Sequence, residues 1–446
     1  MQRSKRGNSA SWRRSSLWLP AVLLLAVLTV TASADIVRER LSNGVRVVVE
    51  PSPWNRIISV SVLVDAGSKH DPSDARGLAK VTNSLLGYTT ASRSSEEVCR
   101  IAACEWVDFG TTVTEDFSEV YAASVDEHFV EALDLVAGAV IEPSFTREDL
   151  AAVQVATQRE IERGLDDPFE RSYMKLNELL FDGHPYAFPV MGTLDGVARI
   201  AREDVVRFHG ERYTGGAIAV SIVGNVDPEE AIELVRERFQ GLPSGAPDGR
   251  IAQVEREDAT ASDLFKDVET GRVQFGYLAP AAGDPDYAPV RVLTEILGGG
   301  SGSRLSAALT ADGADVADIV GAFYPLRTEQ GRLVIYATPK QIDLAVSLIG
   351  DEVEELRTEP VAESELQRAR QRIAGLFRMK GQRNLDRARR YAWDELSGLG
   401  PVAHDRLVEA VEAVGVDDVL KAARRYLVNP AVVVLRPGRS GRDGGI

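Results

Sequence analysis

Gly77-Leu78-Ala79-Lys80-Val81-Thr82-Asn83-Ser84-Leu85-Leu86-Gly87-Tyr88 is the stretch from which the fold of this chain can be read. Leu78, Val81, Leu85 and Leu86 recur at helical spacing, so one face of a helix is apolar and turned to a core. Lys80, Asn83 and Ser84 fall together on an adjoining face, which packing alone does not explain.

Upstream, residues 36–41, a turn at Asn43-Gly44 and residues 45–49 carry a β-hairpin signal. Residues 58–64 are rich in β-branched side chains and read as a strand closed by Ala66-Gly67. Downstream, helices are expected at 96–108, 128–141 and 147–164, with a strand-like interlude over 110–125. A helix at 168–181, the loop Gly183-His184-Pro185-Tyr186, a helix at 202–213, a strand at 217–223 and a helix at 228–239 complete this half.

Pro243, Ser244, Gly245, Pro247 and Gly249 mark 241–257 as a linker, and beyond it the order of elements starts again. A strand at 272–277, a turn at Asp284-Pro285 and a helix at 288–297 ending in Gly298-Gly299-Gly300 repeat the strand 59–64, Asp71-Pro72 and the helix 77–86. Both halves also finish alike: Glu203-Asp204-Val205 through Tyr213 and a strand, then Asp417-Asp418-Val419 through Tyr426 and a strand. This is a tandem duplication. The expected fold is α+β: two tandem homologous α/β-layer domains, 35–240 and 258–440, each a mixed sheet covered by helices, forming a clamshell around a central cleft. Residues 441–446 form a tail. A chain of 446 residues exceeds one compact core, consistent with that division.

With 44% hydrophobic and 26% charged residues the composition is that of a globular protein. A net charge of −16 argues against nucleic acid and anionic membranes as main partners. Arg3, Lys5, Arg6, Arg13 and Arg14 precede an apolar run over 17–30, and Ala32-Ser33-Ala34 offers a cleavage site. Residues 1–34 therefore read as a secretory signal peptide, placing the mature chain in the periplasm or outside the cell, with no membrane segment beyond the signal. Cys99 and Cys104 lie five apart; on one regular helix they point to different faces, so two free, buried thiols are expected unless the helix breaks between them.

Several short patterns in a fixed order resemble the pitrilysin/insulinase superfamily of zinc peptidases, in its two-domain processing-peptidase-like branch. They are Ala66-Gly67-Ser68 with Gly77-Leu78-Ala79, Arg159-Glu160-Ile161 with Asp167-Pro168, His184-Pro185-Tyr186 with Gly192-Thr193, and Tyr213 before Gly224-Asn225-Val226-Asp227. Leu297-Gly298-Gly299-Gly300 with Ser303-Arg304-Leu305 and the closing Tyr426 helix extend the likeness over nearly the whole mature chain.

The resemblance implies where chemistry would sit. The family's H-x-x-E-H motif falls on Lys80, Asn83 and Ser84, and its distant glutamate ligand on Glu160; only Glu160 matches. Zinc needs about three protein ligands and an open position for water. An ammonium cannot ligate, a serine hydroxyl is a poor donor, and Asn83 cannot accept a proton from attacking water. The zinc expected of the family is therefore not expected here, and none of the scattered histidines, His70, His128, His184, His209 and His404, is expected to replace a ligand; solvated or capping roles suit them.

The arginine and tyrosine with which active relatives hold substrate align near Thr310 or Gly313 and near Ala317, so neither role survives. Gly298, Gly299 and Gly300 resemble the glycine-rich loop of non-catalytic processing-peptidase subunits, which implies substrate binding; a helix C-cap and tight turn is the plainer reading. No Gly-Lys-Ser/Thr follows, so it is no phosphate loop. Charge suggests that Lys80 pairs with Glu160, offsetting a carboxylate that no metal neutralises.

The sequence thus points to an exported, catalytically inactive subunit that binds peptide and partners an active zinc-bearing homologue as a heterodimer. Two readings stay open beside it: an active metalloendopeptidase with an atypical site, and a stand-alone peptide-binding or scaffold protein.

Overall fold

The computed structural model describes residues 36–104, 107–246, 251–311, 315–400 and 403–438. The signal segment 1–34, the tail 441–446, Gly313 and the side chains of Cys104 and His404 lie outside the described residues. None of the described helices is long and apolar enough to cross a membrane.

The first half contains β1 (Val37–Arg40), β2 (Arg46–Pro51), β3 (Ile57–Val64), β4 (Val107–Val113), β5 (Ser118–Val125) and β6 (Ile218–Gly224). Its helices are α1 (Leu78–Leu85), α2 (Ser95–Cys104), α3 (Phe129–Ile141), α4 (Arg147–Asp166), α5 (Pro168–Leu180), α6 (Leu194–Arg199), α7 (Arg202–Arg212) and α8 (Pro228–Phe239). The second half contains β7 (Thr260–Lys266), β8 (Arg272–Ala279), β9 (Ala317–Phe323), β10 (Gly331–Pro339) and β11 (Ala431–Pro437). With them come α9 (Tyr287–Gly298), α10 (Arg304–Leu309), α11 (Ile342–Thr358), α12 (Glu363–Lys380), α13 (Asn384–Leu396), α14 (Ala403–Ala413) and α15 (Val416–Tyr426).

Two mixed sheets result, ordered β1-β2-β6-β3-β5-β4 and β7-β11-β8-β10-β9. The second is the first without its β1 edge. In each, one pair is parallel, β2 with β6 and β7 with β11, and every other pair is antiparallel. The likeness reaches single residues. Gly110 on edge strand β4 stands opposite Tyr121, and Gly321 on edge strand β9 opposite Tyr336. A Cβ at either glycine would meet the tyrosine hydroxyl at 2.5 and 2.7 Å, so both glycines exist to let a neighbouring ring lie across the edge. The fold is the α+β, two-layer duplication read from the sequence.

One helical expectation is corrected. The helix read over 96–108 ends at Cys104, Val107 and Asp108 belong to β4, and the interlude 110–125 is two strands. Thr114 makes the break between them: its hydroxyl accepts the amides of Asp116 and Phe117 at 3.2 and 3.1 Å and closes a hairpin turn. Cys99 is free but exposed, not buried, because it stands on the outer face of α2.

Val60, Val62 and Val64 point into the core beneath the helices, where they are at most 1% exposed. The opposite face of each sheet is covered by a helix from the other half. Helix α13 lies on β3 and β6, packing Ala392 and Trp393 against Leu63 and Ala219. Helix α5 lies on β8 and β11, packing Leu176 and Leu180 among Val334, Ala431 and Val433. Leu176 sits where a Cβ on Gly276 would come within 3.1 Å. Both sheet faces are thereby buried, which is why β3 and β6 read as near-continuous apolar runs.

Candidate functional site

Helix α1 is fixed at its start by Asp71, whose carboxylate accepts the amides of Gly77 and Ala79, both at 2.7 Å. Gly77 has φ +105°, and a Cβ there would come within 2.9 Å of the Met191 carbonyl oxygen, so only glycine can open this helix. Leu78, Val81 and Leu85 enter the core, and α1 packs against α4 and α7.

That packing sets Lys80 beside Glu160 of α4, with Nζ 3.2 Å from Oε2. The two form an ion pair without the alignment of a hydrogen bond. Ser84 follows one turn after Lys80 on the same side of the helix. Asn83 turns inward, is 1% exposed, and its Oδ1 has no hydrogen-bond partner. The structure therefore brings Lys80 and Glu160 together, as their charges suggest. The pair is part-exposed, at 20% and 39% of the side chains, and is worth no more than about 1 kcal/mol. Glu160→Gln should accordingly cost about 1 kcal/mol or less in urea unfolding; a loss of several would mean that Glu160 braces α1 by some other contact.

The residues present do not fit a zinc ion. An ammonium occupies the ground beside the one carboxylate, and among the described residues no three His, Cys, Asp or Glu side chains could share a metal. Three histidines expected to be solvated or capping are engaged instead: His184 is buried, the His70 side chain is 3% exposed, and His209 is half-buried. His70 Nε2 lies 3.0 Å from Asp65, His209 Nε2–H donates to the Val140 carbonyl at 2.9 Å, and His184 Nδ1 accepts the Tyr186 amide at 3.0 Å. Burial pushes all three rings below the ordinary histidine range. Only His184 keeps the capping role.

In the second half, α9 and α12 take the places of α1 and α4. Sequence reading missed the pair that joins them: Glu295 Oε1 lies 2.6 Å from Arg372 Nε. Glu295 is 8% exposed, and burial pushes its carboxyl up while Arg291 and Arg372 oppose the shift. A carboxylate within Val292-Leu293-Thr294-Glu295-Ile296-Leu297 was the available signal.

Gly298, Gly299 and Gly300 adjoin this pair, far from Lys80 in sequence, and each is a glycine for its own reason. A Cβ on Gly298 would strike the Ala322 amide nitrogen at 2.3 Å, and one on Gly299 would strike the Glu295 carboxyl carbon at 2.2 Å. Gly300 has φ +140°, and Arg372 lies 3.1 Å from where its Cβ would stand. The C-cap and tight-turn reading holds: Gly299 caps α9 with φ −78°, and a glycine is required there by the Glu295 side chain folded against it, while Gly300 with φ +140° opens the turn. Thr310, which ends α10, donates its hydroxyl to the Ser306 carbonyl, and Ala317 is buried at the start of β9; neither could hold substrate as arginine or tyrosine would.

Comparison with known proteins agrees with this architecture. The family model of Insulinase (Peptidase family M16) matches residues 46–194, and that of the Peptidase M16 inactive domain matches residues 199–373. An uncharacterized zinc protease of Mycobacterium leprae is 28% identical over 354 residues, covering 77% of this chain and 78% of its own. One of Bacillus subtilis is 20% identical over 404 residues, covering 90% and 98%. Among solved structures, a peptidase M16 inactive domain from Pseudomonas fluorescens superposes with a TM-score of 0.84 at 20% identity, over 92% of this chain and 100% of that one. A protease from Helicobacter pylori gives 0.85 at 19% identity, over 90% and 99%. With both halves of its duplicated fold matched by models of one family, the chain belongs to the pitrilysin/insulinase superfamily, peptidase family M16.

Proposed function

We propose that this chain is a catalytically inactive, exported member of the family that binds peptide and works as the partner of an active zinc-bearing homologue in a heterodimer. The observation that carries the reading is the ion pair at the ligand positions. Lys80 holds its ammonium 3.2 Å from Glu160, so the retained carboxylate is balanced by a side chain of the same protein and not by a metal. Asn83, buried on the same helix, has no lone pair basic enough to activate water, so hydrolysis lacks its base as well as its metal. The likeness of this chain to relatives named as zinc proteases is what suggests a catalytic homologue as the partner.

Purification at native expression level, with zinc analysis and an unstructured peptide as substrate, tests the reading. The expected result is co-elution with an H-x-x-E-H homologue, stoichiometric zinc in that partner, and neither zinc nor cleavage by this chain alone. Zinc together with cleavage by the isolated chain would overturn the inactivity. A lone monomer at native level would remove the partner.

A further inference from the structure

The edge strand β1 has no counterpart in the second sheet, and it brings two arginines up to β2. Arg38 and Arg40 alternate along β1 and so share one face, and the register sets Arg40 directly opposite Arg46 of β2. Like charges facing each other across a strand pair are destabilising. On this face Val48 packs against Ala388 and Tyr391 of α13, so the arginines are turned toward that helix, which supplies Glu395. A cavity of about 260 Å³ lies among them, lined by Arg38, Glu39, Arg40, Arg46, Val47 and Glu395 and smaller than the sites that take drug-sized ligands. The acids within reach are already engaged. Glu39 accepts from Arg236 at 2.5 Å, and Glu395 lies 3.2 Å from Arg38. Asp65, which attracts Arg46 from farther off, lies 3.0 Å from His70 and 3.4 Å from Lys69. Among the described residues Arg40 and Arg46 have no carboxylate within 4 Å, and Arg46 Nη1 has no hydrogen-bond partner. Burial and then the neighbouring Arg40 push the Arg46 guanidinium below its ordinary range, against the pull of Glu395 and Asp65. Even with Glu395 and Asp65 counted whole, the three guanidiniums leave one positive charge in excess.

We propose that this cavity is an anion site in which Arg40 and Arg46 together hold one small oxyanion. The ligand class follows from charge and shape. Guanidiniums offer paired N–H donors that match the oxygens of a carboxylate or a phosphate, and the cavity has room for little more. Glu395, held by Arg38, closes the α13 side and repels any anion not seated between Arg40 and Arg46. Bound there, the anion replaces a cross-strand repulsion with two attractions and fastens β1 to β2. The site depends neither on peptide binding nor on a partner chain. Its oxyanion can be free phosphate or the carboxylate of a small acid.

The test is isothermal titration calorimetry of inorganic phosphate and, separately, of acetate into the full chain, with sodium chloride holding the ionic strength constant. Saturable binding of at least one of them is expected, and the tighter of the two identifies the source of the oxyanion. Arg40→Gln and Arg46→Gln should each weaken it about tenfold, the effect of one charge-assisted contact. Melting separates a ligand role from a structural one. In chloride, Arg40→Gln should melt no lower than the native chain, because Arg40 is exposed and the substitution removes a repulsion. At saturating anion the native chain should melt above the variant. Absence of saturable binding by both anions, or binding that both variants leave unchanged, would overturn the site. So would an Arg40→Gln chain that melts below the native one in chloride, since Arg40 would then serve the fold and not a ligand.

Discussion

Glu115→Ala is expected to destabilise the folded chain by about 3–5 kcal/mol in urea unfolding, the loss that follows when one partner of a buried ion cluster is removed. Glu115 leaves the β4–β5 turn of the first half and enters a pocket of the second. Its carboxylate lies 2.6 Å from Arg327 and 2.6 Å from Arg332, and Arg332 in turn donates to the Tyr173 hydroxyl at 2.7 Å. Arg332 is only 2% exposed. Removing the acid leaves two guanidiniums facing each other with little water, and Arg332 Nη1 and Arg327 Nε already lack partners. Arg332→Met should cost less, since Glu115 keeps Arg327 and a methionine fills the space.

The same cluster predicts a pH dependence. The two arginines hold Glu115 down to about 2 against the opposing effect of its burial, below an unfolded value of about 4.3. A depressed folded value means that the stabilisation is present above pH 4.3 and is lost as pH falls toward 2. Urea midpoints measured across that window should fall for the native chain and fall less for Glu115→Gln. Equal slopes would show that the cluster is hydrated and contributes little.

How much of this was legible in the sequence depends on the range of the interaction. Local signals held: the hairpin at Asn43-Gly44, the β-branched run of β3, and the repeated order of strand, Asp-Pro turn and helix all appear where expected. The exchange of α5 and α13 was not legible. The periodicity of Leu176 and Leu180, or of Ala388 and Ala392, says that a face is buried but not which sheet it covers, and here the partner lies in the other half. Lys80 and Glu160 could be joined because a resemblance supplied their relation, and their opposite charges gave a reason to look. Glu295 and Arg372 had no motif to connect them, and each read alone as an ordinary helical residue. The engaged histidines were missed for a related reason, since the groups that hold His70 and His209 are an aspartate before a short turn and a backbone carbonyl of α3.

The second large effect is a gain. Lys80→His, Asn83→Glu and Ser84→His together restore the family's motif over a helix whose position is already set by Asp71 and Gly77. Residues 80 and 84 stand one turn apart on one side, and Glu160 is within 3.2 Å of what Lys80 now holds, so two imidazoles and a carboxylate would converge as a three-ligand site. The expected result is retention of about one zinc per chain after dialysis, against none for the native sequence. Stability should follow the metal. Asn83 is 1% exposed, so a glutamate there is a buried, unpaired charge until a zinc-bound water faces it. The metal-free triple variant should therefore melt below the native chain and recover on adding zinc, whereas the native chain should not respond. A further Glu160→Gln change should abolish the recovery, because it removes a ligand, while leaving the metal-free melting nearly unchanged, since the weak pair with Lys80 is already absent from the triple variant. A folded triple variant whose melting zinc does not move would show that α1 and α4 do not stand where this family keeps its metal, and the reading of Lys80 as the stand-in for that metal would fall with it.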